Sequence, residues 1–151
     1  MPVARLVTTQ AELDEVHRVR IEVFVEEQGY SHQIEVDDPI DPQCTHWLLL
    51  PDDLGPDEPV AGRGLGTVRL VPSDPPALGR LCVVKAGRGK GWGRILALAL
   101  HDHARSLGVK RLAIHSQEYA VPFYEKLGYY ITDHVPFLDE GQPHLHMAVD
   151  L

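Results

Sequence analysis

Residues 80–94 read Arg-Leu-Cys-Val-Val-Lys-Ala-Gly-Arg-Gly-Lys-Gly-Trp-Gly-Arg, an apolar strand pattern followed by a glycine-rich turn and the start of a helix. The glycines let the backbone approach an anion closely and adopt dihedral angles that other residues disfavour. Such a turn directs several backbone N–H groups and the positive end of a helix to one point. Arg88, Lys90 and Arg94 add positive charge. The segment therefore predicts a binding site for a phosphate or pyrophosphate.

Three kinds of phosphate-binding turn compete for this segment. A P-loop requires Ser or Thr after its lysine, but Gly91 follows Lys90 here. A Rossmann turn belongs to the first strand–helix unit, with an acidic residue about 20 positions later, whereas this turn follows several strands. The remaining option is a turn that binds the pyrophosphate of coenzyme A.

The rest of the chain predicts a mixed α/β order, with a strand meander first and alternating strands and helices afterwards. Thr9 and Glu12 form a capping-box pattern that opens the first helix. The polar residues 28–43 predict a loop. Predicted strands cover 3–8, 45–50, 60–71, 78–84, 110–115, 129–135 and 144–150, and predicted helices cover 9–27, 91–106 and 120–127.

Size and composition narrow the class of protein. A chain of 151 residues fits a single domain, here 1–151. Its formal net charge of −8 argues against a nucleic-acid partner. No apolar run is long enough to span a membrane, and the N-terminus lacks a signal-peptide pattern, so we expect a cytoplasmic location. Two cysteines, Cys44 and Cys82, provide neither a disulfide framework nor a CxxC zinc site.

Two motifs follow each other in the second half of the chain. The first is Arg88-x-x-Gly91-x-Gly93 between a strand and a helix. The second is Gln117, Ala120 and then residues 123–129, Phe-Tyr-Glu-Lys-Leu-Gly-Tyr. In this order they resemble the motifs of the GNAT superfamily of N-acetyltransferases. A third segment, residues 20–29 followed by Glu-Val-Asp at 35–37, is similar to the ElaA-like branch, as are Gly-Gln-Pro-His at 141–144 and Met147.

The resemblance implies the GNAT fold, a mostly antiparallel mixed sheet that is splayed between its central parallel strands, with helices on both faces. It implies acetyl-CoA as the co-substrate and transfer of the acetyl group to a primary amine by direct attack in a ternary complex. By resemblance, Tyr124 is the general acid, since a phenol is protonated at neutral pH. The implied cofactor-binding residues are Leu81, Cys82, Val83, Arg88, Gly89, Lys90, Gly91, Trp92, Gly93, Arg94, Gln117 and Phe123.

The sequence indicates less clearly which residues bind and deprotonate the acceptor amine. Glu27 is our candidate for the general base or a substrate anchor, and the alternatives are Glu26, Glu35, Asp37, His115 and an ordered water. We expect Phe24, Gln28, His115 and His144 to contact the acceptor. The acidic segment 35–41 attracts a cationic amine on one interpretation and is a solvated loop on the other.

Other chemistries receive less support. Cys82 could carry the acetyl group covalently, but a small thiol in a strand more often packs in the core. His101 and His103 point to different faces of a helix, and His144 and His146 lack further ligands, so no metal is expected. A CoA-binding sensor without catalysis and a protein that binds another diphosphate remain as alternatives. The resemblance also leaves open a homodimer formed through the late strands and acyl donors longer than acetyl.

Overall fold

The computed structural model describes residues 1–36 and 38–151. Within these described ranges, seven strands form one sheet in the order β1-β2-β3-β4-β5-β7-β6, in which only β4 and β5 pair in parallel. This arrangement agrees with the mixed, mostly antiparallel sheet with central parallel strands that the resemblance implied. The strands are β1 (Val3–Leu6), β2 (Thr45–Leu50), β3 (Gly66–Val71), β4 (Ala77–Val83), β5 (Arg111–Gln117), β6 (Tyr130–Asp139) and β7 (Gln142–Asp150).

Helices cover both faces of the sheet. They are α1 (Gln10–Arg20), which continues as a π-helix (Ile21–Glu27), α2 (His32–Val36), α3 (Trp92–Ser106) and α4 (Val121–Lys126). The capping box at Thr9 and Glu12 is confirmed, because each side chain accepts a hydrogen bond from the other residue's backbone. Among the described residues, no helix is both long and apolar enough to cross a lipid bilayer.

The alternation of side chains along β2 supplies both cores. Leu48 and Leu50 point to the face covered by α1 and the π-helix, whereas Trp47 and Leu49 point to the face covered by α3 and α4. On the second face, buried α3 residues recur at helical spacing, and they are Leu96, Ala97, Leu100 and Ala104. Strand β4 contributes Leu78 to the second core and Cys82 to the first, whereas the buried Leu112 and Ile114 of β5 belong to the second core.

Three predicted elements differ from the structure in bounds or type. The predicted strand 60–71 begins only at Gly66, because the N–H groups of Gly62 and Gly64 donate to the Glu15 carboxylate at 3.0 and 2.6 Å instead of to a strand. The predicted loop 28–43 contains α2. The predicted helix 9–27 is present, but it changes from an α-helix to a π-helix at Ile21, and the Gln28 N–H bonds to the Val23 carbonyl. Apolar spacing over so few residues does not distinguish the two helix types.

The β6–β7 hairpin lies at the sheet edge beyond β5. Both strands extend past their predicted limits, β6 to Asp139 and β7 back to Gln142. On β6, Val135 and Leu138 are exposed. The homodimer through these strands stays a prediction.

Candidate active site

The sheet opens where β4 and β5 diverge. Their only parallel pair is Ala77 with Ala113 near the start of β4, where the Ala113 N–H also donates to the Pro76 carbonyl at 2.9 Å. Beyond this point a cleft of about 1060 Å³ separates the strands. It is bordered by the glycine-rich turn, the end of the π-helix, α4 and the β6–β7 hairpin. A cleft of this volume is large enough for an extended ligand.

The glycine-rich turn closes one end of this cleft. Gly89 and Gly91 have φ of 77° and 79°, a left-handed conformation that glycine adopts without steric cost. Helix α3 starts directly after Gly91 with no side-chain cap, so its first N–H groups are available to an anion. Gly93 lies against Phe123, since a Cβ at Gly93 would be 3.2 Å from that ring. The predicted anion site is therefore assembled from backbone donors.

The cations of the turn are not equivalent. Arg88 lines the cleft, but Lys90 and Arg94 are exposed and do not line it. The Lys90 Nζ lies 5.3 Å from the centre of the Trp92 ring, and Trp92 itself borders the cleft. Arg88 thus faces the site directly, whereas Lys90 and Arg94 contribute from outside it.

Arg88 is held by Glu27, which was the candidate base. The guanidinium donates to both carboxylate oxygens of Glu27, with Arg88 Nη2 at 2.6 Å from Oε1, and Nη2 also contacts the Val83 carbonyl at 3.2 Å. The hydrogen bonds from Arg88 lower the pKa of Glu27. A carboxylate whose pKa is lowered is a weaker proton acceptor, and Glu27 does not line the cleft. This geometry suits Glu27 to positioning Arg88.

Tyr124 lies on α4 at the base of the cleft. Its side chain is 9 % exposed and packs edge-on against Phe123 and Tyr129, with ring centres 5.1 and 5.4 Å away. Burial raises the pKa of the Tyr124 phenol well above its ordinary value. The group therefore keeps its proton at neutral pH, which a proton donor requires.

Cys82 also faces the cleft from β4. The residue is 6 % exposed, and burial raises the pKa of its thiol to about 12. The thiolate is the nucleophilic form of cysteine, so this thiol is inert at neutral pH. The environment thus favours the packing role of Cys82 over a covalent one.

We call the part of the cleft lined by Phe24, Gln28, Tyr30, His115 and His144 the acceptor half. That Phe24, Gln28, His115 and His144 contact an acceptor stays a prediction. The Gln117 amide donates to the Tyr30 hydroxyl, which links β5 to the segment after the π-helix. The Phe24 and Tyr30 rings meet edge-on with centres 6.3 Å apart. Gln117, predicted to bind the cofactor, therefore also braces the acceptor half.

Two imidazoles line the acceptor half. His144 Nδ1 lies 2.8 Å from the Gln142 carbonyl, which can only accept, so this nitrogen carries a proton. In the neutral ring, the lone pair is then on Nε2. His115 packs against His146 and Phe137, and burial together with the neighbouring imidazoles lowers the pKa of His115.

The sequence missed a charged network beneath the acceptor half. Glu35, 2 % exposed, accepts hydrogen bonds from Arg20 and Arg80. Asp41 accepts from Arg20 and Arg69 at 3.0 and 2.8 Å. An arginine at a core position of the first helical pattern was the available signal, because a buried arginine requires acidic partners. Glu35 is thus fully paired, which makes it unsuited to act as a base.

The remaining predicted candidates lie elsewhere. Glu26 is exposed and does not line the cleft. Asp37 lies outside the described residues. In the part of the chain that the structure describes, no group of three His, Cys, Asp or Glu residues is arranged to hold a metal ion. His101 instead bonds to the Tyr129 hydroxyl at 2.8 Å.

Known proteins are similar to this chain in both sequence and fold. The profile of the acetyltransferase (GNAT) domain matches residues 58–151. The uncharacterized N-acetyltransferase YjcF of Bacillus subtilis is 33 % identical over 147 residues, covering 97 % of this chain and 99 % of that protein. A solved candidate N-acetyltransferase from Lactobacillus plantarum is 34 % identical with a TM-score of 0.81, covering 99 % of both chains.

The structure of Escherichia coli ElaA shares the fold, with a TM-score of 0.80 at 23 % identity over 99 % of both chains. The assignment to the ElaA-like branch, which the N-terminal and C-terminal segments indicated, stays a prediction. Since the family profile covers more than half of the chain and YjcF matches almost its whole length, the family is established. The chain belongs to the GNAT family and is an acetyl-CoA-dependent acyltransferase.

Proposed function

We propose that the protein transfers the acetyl group of acetyl-CoA to a primary amine of a small molecule, by direct attack in a ternary complex. The observation that carries this proposal is one continuous cleft that joins the glycine-rich turn, Tyr124 and the acceptor half. A donor and an acceptor that bind in one cleft can react without a covalent enzyme intermediate. The inert thiol of Cys82 supports the same route.

In this proposal, the pyrophosphate of CoA binds the backbone N–H groups of residues 88–93 and the start of α3. The pantetheine arm lies along Leu81, Cys82 and Val83, whose strand has no partner on the side of the cleft beyond Ala77. A backbone N–H of this segment then faces the thioester oxygen, which becomes negative in the tetrahedral intermediate. Phe123 packs beside the arm, as its contact with Gly93 at the cleft suggests.

The leaving group requires a proton, for which we propose Tyr124. The amine nitrogen attacks the thioester carbon, the C–S bond breaks, and the CoA thiolate takes the phenolic proton. The buried phenol is protonated at neutral pH, which supports this role. General acid catalysis of this kind contributes about 10²–10⁴-fold to the rate. The proton returns to Tyr124 from solvent after the products leave.

The attacking amine must lose a proton, because an alkylamine has a pKa of about 10.4. We propose His144 as the acceptor of this proton, in place of Glu27. Its Nδ1 is fixed as a donor to the Gln142 carbonyl, so the lone pair of the neutral ring is on Nε2. His144 lines the acceptor half, where a bound amine would lie.

The test measures free-thiol release from acetyl-CoA with a panel of amines that includes polyamines, amino sugars and arylalkylamines. We expect at least one amine to drive turnover, and Tyr124→Phe to slow it about 10²–10⁴-fold, as for a lost general acid. Tyr130→Phe is the matched control, because its hydroxyl contacts only Asp150 at the exposed sheet edge, at 3.3 Å. If acetyl-CoA binds but no amine releases thiol, the proposal of amine acetylation fails. Equal rates for Tyr124→Phe and wild type would remove Tyr124 from the mechanism.

A further inference from the structure

Strand β4 contains a bulge at the point where the cleft opens. Gly79 pairs with Arg69 and Cys82 pairs with Thr67. Between these pairs β3 has one residue, Val68, whereas β4 has two, Arg80 and Leu81. The extra residue bends the bulged strand and interrupts its ladder. The bulge follows the Ala77–Ala113 pair and includes Leu81, the first residue of the segment 81–83 that we propose binds the pantetheine arm.

Arg80 has an unusual backbone for its residue type. Its φ is 51°, in the left-handed region, and the only other described non-glycine residue with positive φ is Glu140. A side chain disfavours this region, and glycine would occupy it without strain. An arginine in this conformation at a functional site indicates that its side chain has a purpose that glycine could not serve.

The side chain of Arg80 is anchored on α2 and the segment that follows it. Its Nη1 donates to Glu35 Oε2 at 2.5 Å, and its Nη2 lies 3.3 Å from Asp38 Oδ2. The other Glu35 oxygen accepts from Arg20, which is fully buried in α1. The bulge in β4 is therefore tied to two helical elements by charged hydrogen bonds, which are stronger than neutral ones.

We propose that Arg80 is a positioning residue: held by Glu35, it fixes the bulge and thereby aims the backbone N–H groups of residues 81–83 at the thioester of acetyl-CoA. This inference rests on the proposed function. Glu35 and Arg80 also line the cleft that contains the acceptor half. The same contact therefore connects the acceptor-binding segment to the groups that stabilise the tetrahedral intermediate.

Arg80→Gly separates the role of the left-handed backbone at this position from the role of the anchored side chain. Glycine keeps the left-handed φ without strain, so a backbone role alone predicts an unchanged or more stable enzyme. If the anchor matters, kcat falls about 10- to 100-fold, as for a small misplacement of catalytic groups. The KM for acetyl-CoA changes less than threefold, on the order expected when the glycine-rich turn still binds the pyrophosphate. Arg63→Gly is the control, since Arg63 is an exposed turn residue whose guanidinium lies 3.9 Å from the Asp53 carboxylate.

Arg80→Lys provides a second variant should glycine loosen the fold. Lysine keeps the charge but lacks the planar fork, so it cannot bridge Glu35 and Asp38 as arginine does. We expect its kcat to lie between those of wild type and Arg80→Gly. A thermal unfolding curve for each variant establishes that the protein compared is folded.

Amide NMR tests the inference without an acceptor amine. In the wild type, acetyl-CoA should shift the amide signals of residues 81–83 and of residues 88–93. In Arg80→Gly, we expect the second set to keep its shifts and the first set to lose most of them. Wild-type signals of 81–83 that do not respond would overturn the proposed placement of acetyl-CoA. If they respond equally in both proteins and kcat is unchanged, the positioning role of Arg80 alone is wrong.

Discussion

Asp41→Asn removes one negative charge from the buried network under the acceptor half. The Asp41 carboxylate, about 10 % exposed, bonds to His17 at 2.8 Å, Arg20 at 3.0 Å and Arg69 at 2.8 Å. An asparagine of the same shape leaves two buried guanidinium groups without this anionic partner. Breaking a buried ion pair on one side costs about 3–5 kcal/mol of the free energy of unfolding. For a domain of this size the loss lowers the melting temperature by about 6–20 °C.

Urea denaturation of wild type and two variants measures this effect. The matched control is Asp102→Asn, because Asp102 is 80 % exposed and contacts Arg105 at 3.1 Å on the surface of α3. Exposed pairs contribute little, so we expect the control to differ from wild type by less than about 0.5 kcal/mol. If Asp41→Asn also stays within about 1 kcal/mol of wild type, the network does not stabilise the fold as we argue.

The ionisation of the same carboxylate predicts how the free energy of unfolding changes at acid pH. Burial alone would raise the pKa of Asp41, but the hydrogen bond with His17 and the guanidinium groups of Arg20 and Arg69 outweigh it and lower the pKa. Because the folded-state pKa lies below the unfolded value of about 3.9, the stabilisation is complete above about pH 4. It is lost as the pH falls towards the folded-state pKa. Asp41→Asn should therefore show a flatter decline between about pH 4 and pH 2 than wild type does, and parallel curves would contradict this assignment.

Three further substitutions test other parts of the structure. Gly87→Ala should raise the KM for acetyl-CoA about tenfold, because the added Cβ would lie 2.1 Å from the Trp92 ring and displace that ring from the cleft. Gly55→Ala is the control in the same kinetic assay, since its Cβ would meet the Glu58 side chain. Tyr129→Phe should lower the free energy of unfolding in urea denaturation by about 1–3 kcal/mol, since buried His101 loses its hydrogen-bond partner at 2.8 Å. A loss no larger than that of Tyr130→Phe would contradict this. Cys82→Ala should retain kcat within about threefold in the thiol-release assay, because a pKa of about 12 keeps the Cys82 thiol protonated and non-nucleophilic. A loss of kcat above about 100-fold would indicate a covalent route.

Local sequence determined the features that depend on a few adjacent residues. The turn at residues 87–93 was recognisable because left-handed backbone at Gly89 and Gly91 requires glycine wherever the chain folds. The capping box at Thr9 follows from a three-residue spacing. Apolar residues at 45–50 predicted the strand β2, and helical spacing predicted α3 to within one residue, since each pattern reports the period of its own element. The order of the motifs then indicated the GNAT fold and acetyl-CoA as the acetyl donor.

Only the tertiary structure decided which charged groups meet. Arg88 and Glu27 are 61 residues apart in sequence, and Arg80 and Glu35 are 45 apart, so no local spacing reveals either pair. The pairing lowers the pKa of Glu27 and makes it a poor base, although its position in the motif suggested otherwise. The environments of Tyr124 and Cys82 likewise depend on burial between layers. Burial and pairing set proton affinities, and both arise only when distant segments pack together.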